Sequence, residues 1–240
     1  MRYRGSKSRL SKYLVPIIQN EINTNGSKYY LEPFVGGANI IDKIQCENKI
    51  GYDINKYLIA LLKQAQTDTS IFPKTITEEE YYNVKNNKDN FPDWYVGLVG
   101  FCASFGSMFF DGYARSKKEK RDSANEAIKN IINQSPNLKN IYFDIKNYID
   151  INNINGYTIY ADPPYFKKES KRPRYAGQNK FSEDIFWDWC RKIGKTNNLL
   201  ISNYNAPDDF KCVFEKEHRI FARNTEDKIA IERLYKYEQS

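Results

Sequence analysis

The feature that most constrains the fold is a strand, a glycine turn, a helix and a second strand in succession between residues 28 and 55. Residues 28–34 predict a short strand, and residues 35–39, Val-Gly-Gly-Ala-Asn, predict a tight turn. The isoleucines in residues 40–44 have helical spacing, and residues 49–55 predict the second strand. This succession is half of a doubly wound nucleotide-binding sheet. We therefore predict an α/β fold of the Rossmann type.

An acid at the tip of the second strand indicates what this unit binds. Asp53 lies 17 positions after Gly36, close to the ~20 that separate a glycine turn from a ribose-binding acid. The turn lacks the full G-x-G-x-x-G pattern that brings a pyrophosphate onto a helix N-terminus. A ligand with ribose and adenine but no phosphates fits better, which favours S-adenosylmethionine over NAD or ATP. A turn used only for packing is the alternative.

The tetrapeptide Asp162-Pro163-Pro164-Tyr165 follows the apolar run of residues 157–161, which predicts a buried strand. Each proline fixes its φ near −65° and lacks an N–H, so carbonyl groups of the turn point outward with no backbone donor. A carboxylate, these carbonyls and a flat ring together can hold a planar amino group, such as the exocyclic amine of a base. A plain loop with a solvated acid and a packing tyrosine is the alternative.

The spacing of the predicted strands indicates an insertion. From Asp53 to the next predicted strand, at Tyr142, is 89 residues, where a βαβ unit needs about 30. The excess contains an acidic helix start, an aromatic stretch and a basic run (residues 78–80, 94–113 and 115–121). We predict a catalytic domain of residues 1–66 and 136–240 with a small helical subdomain of residues 67–135 inserted in it. The cofactor-binding part is not expected to need the insertion.

The rest of the chain predicts the end of the sheet. Residues 166–180, rich in lysine and arginine, predict a basic loop. The elements expected after it are a helix capped by Ser182 that buries Ile185, Phe186, Trp189 and Ile193, a strand at residues 198–202, and a closing hairpin at residues 213–221 and 229–237.

Composition limits the partners. The chain carries 37 basic and 30 acidic residues, a net charge of +7, which favours a polyanionic partner. Four separated cysteines without a C-x-x-C pair, and a single histidine, argue against a metal site and indicate a reduced, cytoplasmic protein. No apolar run is long enough for a membrane span, and no signal peptide is visible.

Together these landmarks resemble the DNA adenine methylase (Dam-type) family of adenine-N6 DNA methyltransferases, in its compact phage-like form. The resemblance covers nearly the whole chain and rests on residues 3–9 (Tyr-Arg-Gly-Ser-Lys-Ser-Arg), 32–39 (Glu-Pro-Phe-Val-Gly-Gly-Ala-Asn), 53–55 (Asp-Ile-Asn) and 162–165. It implies a methyltransferase sheet with an inserted DNA-recognition subdomain, S-adenosylmethionine as cofactor, S-adenosylhomocysteine as product, double-stranded DNA as partner and no metal. It also implies action in a bacterial or phage-infected cell, for example in restriction-modification. We expect a monomer in solution and leave a dimer on DNA open.

The same resemblance assigns site residues position by position. The catalytic residues are Asp162, Pro163, Pro164 and Tyr165. The cofactor-binding residues are Tyr3, Lys7, Glu32, Phe34, Gly36, Gly37, Asn39, Asp53, Asn147, Tyr148 and Asp162. The stretch from Phe105-Gly106 to Arg115 resembles the DNA-reading region of compact members and gives Tyr113 and Arg115 as DNA-binding residues. The two basic runs add Lys117, Lys118, Lys120, Lys168, Arg172 and Arg174, because DNA must lie near residues 162–165; solvated surface is the alternative for these runs. Family members often have an Asp-Tyr or Asp-Phe pair where this chain has Asn147-Tyr148, and Asp144 is the alternative contact for the cofactor adenine.

The expected reaction is direct. Asp162 and the Pro163 carbonyl accept both amino hydrogens of adenine and expose its nitrogen lone pair for in-line transfer, while Tyr165 stacks on a base flipped out of the duplex. Two alternatives stay open: a methyltransferase for cytosine N4, an amide or an RNA amine, and a DNA-binding protein with an inactive site. Cytosine-N4 enzymes tend to carry serine, and protein-glutamine enzymes asparagine, in place of Asp162.

Overall fold

The computed structural model of the protein describes residues 1–115, 122–164, 181–220 and 228–238, without the side chains of residues 218–220 and 228–230. The strands in these residues are β1 (Tyr29–Glu32), β2 (Asn48–Asp53), β3 (Ile141–Ile145), β4 (Tyr157–Ala161), β5 (Asn198–Asn203), β6 (Phe210–Ile220) and β7 (Lys228–Tyr237). The α-helices are α1 (Ser11–Asn25), α2 (Lys56–Thr67), α3 (Glu78–Asn86), α4 (Asp93–Cys102), α5 (Ser123–Leu138) and α6 (Glu183–Gly194).

The strands form one sheet in the order β3-β2-β1-β4-β5-β7-β6. β1 to β5 run parallel, β7 runs antiparallel to β5, and β6 pairs with β7 as a hairpin. The predicted α/β fold and closing hairpin are therefore confirmed. The strand order reverses between β1 and β4, and in such sheets a ligand binds outside the carboxyl ends of the strands at that point.

Helix α2 begins directly after β2 because Asn55 caps it. The Asn55 Oδ1 atom accepts hydrogen bonds from the N–H groups of Tyr57 and Leu58, both at 3.1 Å. Leu58 and Leu62 lie on the buried face of the helix, which packs against β2 and β3. The cap fixes the point where the chain leaves the sheet, and so it fixes the position of Asp53.

Helix α6 begins at the predicted cap, but its buried face was only partly predicted. Ser182 Oγ accepts from the Ile185 N–H at 3.5 Å, and Phe186, Trp189 and Ile193 are buried as expected. The prediction for Ile185 is wrong, because its side chain is 51% exposed. Positions 186, 189 and 193 share one helix face, whereas position 185 lies on the adjacent outer side.

The helix expected between β1 and β2 does not form, which corrects the prediction for residues 40–44. Only a short 3-10 turn, Ile41–Lys43, is present there. Gly36 and Ala38 both have positive φ angles, +48° and 54°, so the turn uses most of the short connection. The isoleucines are nevertheless buried, and the 3-10 turn packs against α5. Their spacing reflects this burial and not a helix.

The inserted segment packs into the main core. Val96 of α4 and Ile128 of α5 belong to the same buried cluster as Leu61 of α2. A Cβ atom on Gly97 would lie 2.2 Å from the carbonyl oxygen of Tyr57, so α4 rests directly on the backbone of α2. The division into a catalytic domain and an inserted subdomain stays a prediction, and α4 and α5 of the inserted segment pack against α2.

Candidate active site

The predicted glycine turn and two acidic residues meet at the carboxyl ends of the parallel strands. The turn follows β1, Asp53 ends β2, and Asp162 follows β4. The Val35 N–H donates to the Tyr52 carbonyl at 2.8 Å, and the Gly36 N–H donates to Asp53 Oδ2 at 3.2 Å. These bonds join the ends of β1 and β2 at the side of the strand-order reversal where a ligand is expected.

The glycines of the turn are required by the ring of Tyr3. A Cβ on Gly36 would lie 2.9 Å from the ring, and one on Gly37 would lie 2.8 Å from Tyr3 Cβ. Real Cβ atoms do not come so close to another heavy atom. The turn therefore forms a surface on which the N-terminal segment lies. The structure brings Tyr3, Gly36 and Gly37 together, and their contact with a cofactor stays a prediction.

Asp53 is held in one orientation by backbone donors. Its Oδ2 accepts from Gly36 N–H and its Oδ1 accepts from Asn55 N–H at 3.0 Å. Burial raises its pKa from 3.8 to about 6, although the N–H groups of Asn55, Gly36 and Ile54 act to lower it. The carboxylate is therefore pre-oriented, ionised at neutral pH and poorly solvated, so a ligand with hydroxyl donors would improve its environment.

Two amide side chains support the turn. The Gln134 Nε2 atom donates to the carbonyls of Gly37, at 3.2 Å, and Ala38, at 2.9 Å. Asn39 Nδ2 donates to the Met1 carbonyl and to Ser6 Oγ. Asn39 thus holds the N-terminal segment on the turn, and its direct contact with a cofactor stays a prediction.

Gln134 belongs to the predicted insertion, so a residue of α5 supports the glycine turn, a contact that the division into two parts did not include. The sequence carries no signal for this role, because a glutamine is common in a helix. Its importance comes from burial beneath the glycine turn, which only the packing of α5 reveals.

An aromatic wall lies beside the turn. The rings of Phe34 and Tyr148 are 5.1 Å apart, and the ring of Phe181 contacts both. Asn147 caps the 3-10 turn that begins at Tyr148, since its Oδ1 accepts from the Ile149 N–H at 3.3 Å. The predicted pair Asn147-Tyr148 is thus joined to Phe34 through the tyrosine.

Asp144, the alternative to Asn147, has other contacts. Its carboxylate lies 3.3 Å from Lys63 Nζ and accepts from the Tyr142 hydroxyl, also at 3.3 Å. Burial acts to raise the pKa of Asp144, but the Ile145 N–H, Lys63 and the Tyr142 hydroxyl outweigh it, and the pKa is lowered. These contacts favour Asn147 as the residue nearer the site.

Lys7 lies against the acid of the tetrapeptide. Its ammonium group is 2.9 Å from Asp162 Oδ1 and 3.4 Å from Glu232 Oε1, and its side chain is only 6% exposed. Burial acts to lower the pKa of Lys7, but the two carboxylates outweigh it and the pKa is raised. Asp162 is partly exposed, at 20%, and Pro163 is buried.

The contact of Lys7 with Glu232 could not be predicted, because a single glutamate in a hairpin strand gives no signal.

Glu32, a predicted cofactor-binding residue, lies on the same side of β1 as Tyr30, whose hydroxyl donates to Glu32 Oε1 at 2.8 Å. Burial raises the pKa of Glu32 well above its usual value. Its predicted contact with a cofactor stays a prediction.

The predicted DNA-binding residues are only partly described. Arg115 is exposed and makes a two-pronged contact with the carboxylate of Glu78, with Nε at 2.9 Å from Oε2. The Tyr113 hydroxyl donates to the Ile76 carbonyl at 2.8 Å. Tyr165, Lys117, Lys118, Lys120, Lys168, Arg172 and Arg174 lie outside the described residues.

The described part of the chain contains no helix long and apolar enough to cross a membrane. In the same part, no three His, Cys, Asp or Glu side chains come together as metal ligands.

Comparison with known proteins adds to this geometry. The family profile described as "D12 class N6 adenine-specific DNA methyltransferase" matches residues 3–228. The Type II methyltransferase M.MjaIII of Methanocaldococcus jannaschii is 23% identical in an alignment of 256 positions that covers 90% of this chain and 87% of that protein. The crystal structure of protein 1320 of Thermoplasma acidophilum superposes with a TM-score of 0.42 at 10% identity, covering 96% of this chain and 90% of that one.

Proposed function

The chain belongs to the D12 class of N6 adenine-specific DNA methyltransferases, and we propose on that premise that Asp162 is the group that acts on the target amine. The protein transfers a methyl group from S-adenosylmethionine to N6 of adenine in DNA. One observation carries the assignment of the site: Asp162 lies beyond β4 and the glycine turn beyond β1, and these two strands are neighbours at the strand-order reversal.

The residues at the turn fit the cofactor. Asp53 has a pre-oriented, poorly solvated carboxylate suited to two ribose hydroxyls. Gly36 and Gly37 allow close approach, and the half-buried ring of Phe34, which packs against Tyr148, offers an apolar surface to an adenine ring. When bound, S-adenosylmethionine supplies the methyl group on a sulfonium centre. We assign Asp53 to the ribose, Phe34 and Tyr148 to the adenine, and Asn147 to the rim of that pocket.

Asp162 and Pro163 would act on the acceptor. The amino nitrogen of adenine is a poor nucleophile, because its lone pair is delocalised into the ring. A carboxylate oxygen of Asp162 and the carbonyl oxygen of Pro163 accept hydrogen bonds from the two N–H groups of this amine. These hydrogen bonds orient the nitrogen lone pair out of the ring system. The Lys7 ammonium lies 2.9 Å from Oδ1 and helps to hold the carboxylate of Asp162 in place.

To reach this site the base must leave the helix, at a cost of a few kcal/mol. We propose that the target nucleotide is flipped out and that Tyr165 stacks on the base. The resemblance of the tetrapeptide to the family motif supports this role for Tyr165.

The direct test of the function is the chemical nature of the product. Duplex DNA incubated with the purified protein and S-adenosylmethionine, without added metal, is expected to yield N6-methyladenine when it is digested and analysed by mass spectrometry. The Asp162→Ala protein, prepared in parallel, controls for contaminating enzymes. N4-methylcytosine as the product, or no modified base from protein that binds the cofactor, would contradict the proposal.

We propose that the inserted segment reads the DNA sequence, with Arg115 as the base-reading residue. In the described structure its guanidinium faces the Glu78 carboxylate with a two-pronged geometry, the same geometry in which arginine recognises guanine O6 and N7. Glu78 keeps this arginine extended at the surface until a base edge replaces the carboxylate. The Tyr113 hydroxyl, held by Ile76, would fix the loop that carries Arg115.

Replacing Arg115 with alanine is expected to weaken the sequence preference of the enzyme at one base pair of its site. The discrimination lost there should be about 1–3 kcal/mol. Methylation of a randomised duplex library, read by sequencing, measures this. Arg191→Ala is a matched control, because Arg191 is also a surface arginine paired with an acid, Asp209, but lies on α6. An unchanged profile for Arg115→Ala, with an altered one for Arg172→Ala or Arg174→Ala, would move recognition to the loop after Tyr165.

The lysines at 117, 118 and 120 are proposed to contact phosphates. Such contacts add affinity for every sequence and make binding salt-dependent, without adding specificity. The similarity to a Type II methyltransferase supports a defined duplex site and a role in restriction-modification.

A further inference from the structure

We propose that Glu232 is a positioning residue of the methyltransferase, acting on Asp162 through Lys7; this rests on the proposed role of Asp162. Lys7, at the start of a 3-10 turn capped by Ser6, lies between the two carboxylates. Its Nζ atom is 2.9 Å from Asp162 Oδ1 and 3.4 Å from Glu232 Oε1. One ammonium group therefore joins the acid of the tetrapeptide to an acid of the closing hairpin.

The sheet brings Glu232 to the level of the active site. The pairing of β5 with β7 ends at Asn203 opposite Arg233. Because β7 is antiparallel to β5, Glu232, which precedes Arg233 in the chain, lies just past the carboxyl end of β5. Asp162 lies in the same way just past the carboxyl end of β4. Glu232 also shares the buried side of β7 with Leu234, and both residues are almost completely inaccessible to solvent.

A carboxylate in this position is costly to the fold. Burial of an ion pair costs several kcal/mol per ion, and apolar side chains of similar size are often as stabilising or more so. A buried Glu–Lys–Asp arrangement at the edge of the site is therefore poorly explained by stability alone. The arrangement is explained if Glu232 holds Lys7 in position and balances part of the attraction of its ammonium charge for Asp162.

Without Glu232, the ammonium would lose one of its carboxylate contacts. More of the attraction of its charge would then fall on Asp162, the carboxylate that accepts hydrogen bonds from the amino group of adenine. Both changes weaken Asp162 as an acceptor in the transition state. Neither involves Asp53 or the aromatic wall, so cofactor binding should be preserved.

Two hydrogen-bonded pairs of buried side chains lie on the neighbouring strands β1, β4 and β5. Tyr160 shares a hydrogen bond with Ser202 at 2.8 Å, and Tyr30 donates to Glu32. Lys216, on β6, is the cross-strand partner of Glu232 but is exposed. Among the described residues, Lys7 is the buried cation that contacts both carboxylates. Glu232 can therefore affect Asp162 through Lys7.

The test is a Glu232→Gln variant measured under steady-state conditions. Its kcat is expected to fall about tenfold, which corresponds to ~1.4 kcal/mol. The KM values for S-adenosylmethionine and DNA should stay within about twofold, since only transition-state contacts are lost. Glu215→Gln is the matched control: Glu215 lies on the adjacent strand β6, is exposed and pairs with Arg233. This control should keep the kcat of the unmodified enzyme.

Coupling to Lys7 separates a positioning role from a structural one. In a Lys7→Met background, Glu232→Gln should change kcat by less than about twofold, because its effect passes through the lysine. The same double-mutant cycle measured by urea unfolding of the cofactor-free proteins should also give a coupling between the two residues. If Glu232→Gln does not fold, Glu232→Asp, which keeps the charge but shortens the reach, replaces it with the same expectations.

The inference is overturned if a folded Glu232 variant keeps an unchanged kcat, or if the decrease persists undiminished in the Lys7→Met background. The Asp162→Ala variant separates the proposed role of Asp162 from the proposed role of Glu232. If that variant remains active, the proposed role of Asp162 fails. If it is inactive while Glu232→Gln has the kcat of the unmodified enzyme, only the role of Glu232 fails.

Discussion

Replacing Asp162 with alanine is expected to lower the rate of adenine methylation by about 10²–10⁴-fold, the range for a positioned proton-accepting group. The loss follows from the removal of the acceptor that orients the amino group of the target base. Single-turnover methylation of a duplex that carries one recognition site measures the step itself. Asp162→Asn, which keeps the shape but not the charge, should lose nearly as much rate.

The fold should survive this change, because the buried Lys7 keeps its contact with Glu232. Calorimetric titration with S-adenosylhomocysteine should therefore give an affinity within about twofold of the unmodified protein. Asp188→Ala, an exposed acid on α6, controls for the loss of a surface charge. A loss of cofactor affinity as large as the loss of rate would show that Asp162 belongs to the cofactor pocket instead.

The Asp53→Ala variant is expected to behave in the opposite way and to lose cofactor affinity first. Each charge-assisted hydrogen bond to a ribose hydroxyl contributes about 1.5–3 kcal/mol, so loss of two should raise the Kd for S-adenosylmethionine by about 10²–10⁴-fold. At saturating cofactor the methylation rate should recover. Equal effects on Kd in the Asp53 and Asp162 variants would mean that one of the two assignments is mistaken.

The raised pKa of Asp53 adds a pH dependence to this prediction. Its value of about 6 in the folded protein means that cofactor affinity should fall as the pH is lowered from 7 to 5, because the protonated acid is a poorer acceptor. Asp53→Asn should abolish this dependence.

The contribution of Asp53 to the free energy of unfolding should change with pH in the direction opposite to cofactor affinity. Since the folded-state pKa lies above the ordinary value of 3.8, the folded protein holds the proton more tightly. The contribution of Asp53 to folding is therefore greatest below about pH 4 and is lost as the pH rises through about 6.

The elements that could be predicted from the sequence are those fixed by local chemistry. Ser182 caps α6 and the glycine turn follows β1 as expected, because such features depend on neighbouring residues or on conformations that few residues adopt. The alternating and continuous apolar patterns likewise located the strands, including the hairpin. In these places the local preferences and the tertiary structure agree.

The parts that were wrong or missed depend on distant packing. Residues 40–44 look helical because α5 covers their isoleucines, and α5 lies about 80 residues later in the sequence. Gln134 and Glu232 became visible only when the helix and the hairpin placed them beside the turn and Lys7. Polar residues give no periodic signal of this kind, so their partners must be found in three dimensions.

The antiparallel direction of β7 has a consequence for which length changes the chain can tolerate. Glu232 is supplied from within a paired strand, whereas Asp162 and the glycine turn are supplied by connections after strands. Side chains alternate across a strand, so a single-residue deletion between Lys228 and Glu232 would bring Arg233 into the place of the glutamate. A second cation would then face Lys7. Insertions and deletions in this strand should therefore be far rarer among functional variants than substitutions on its outer face.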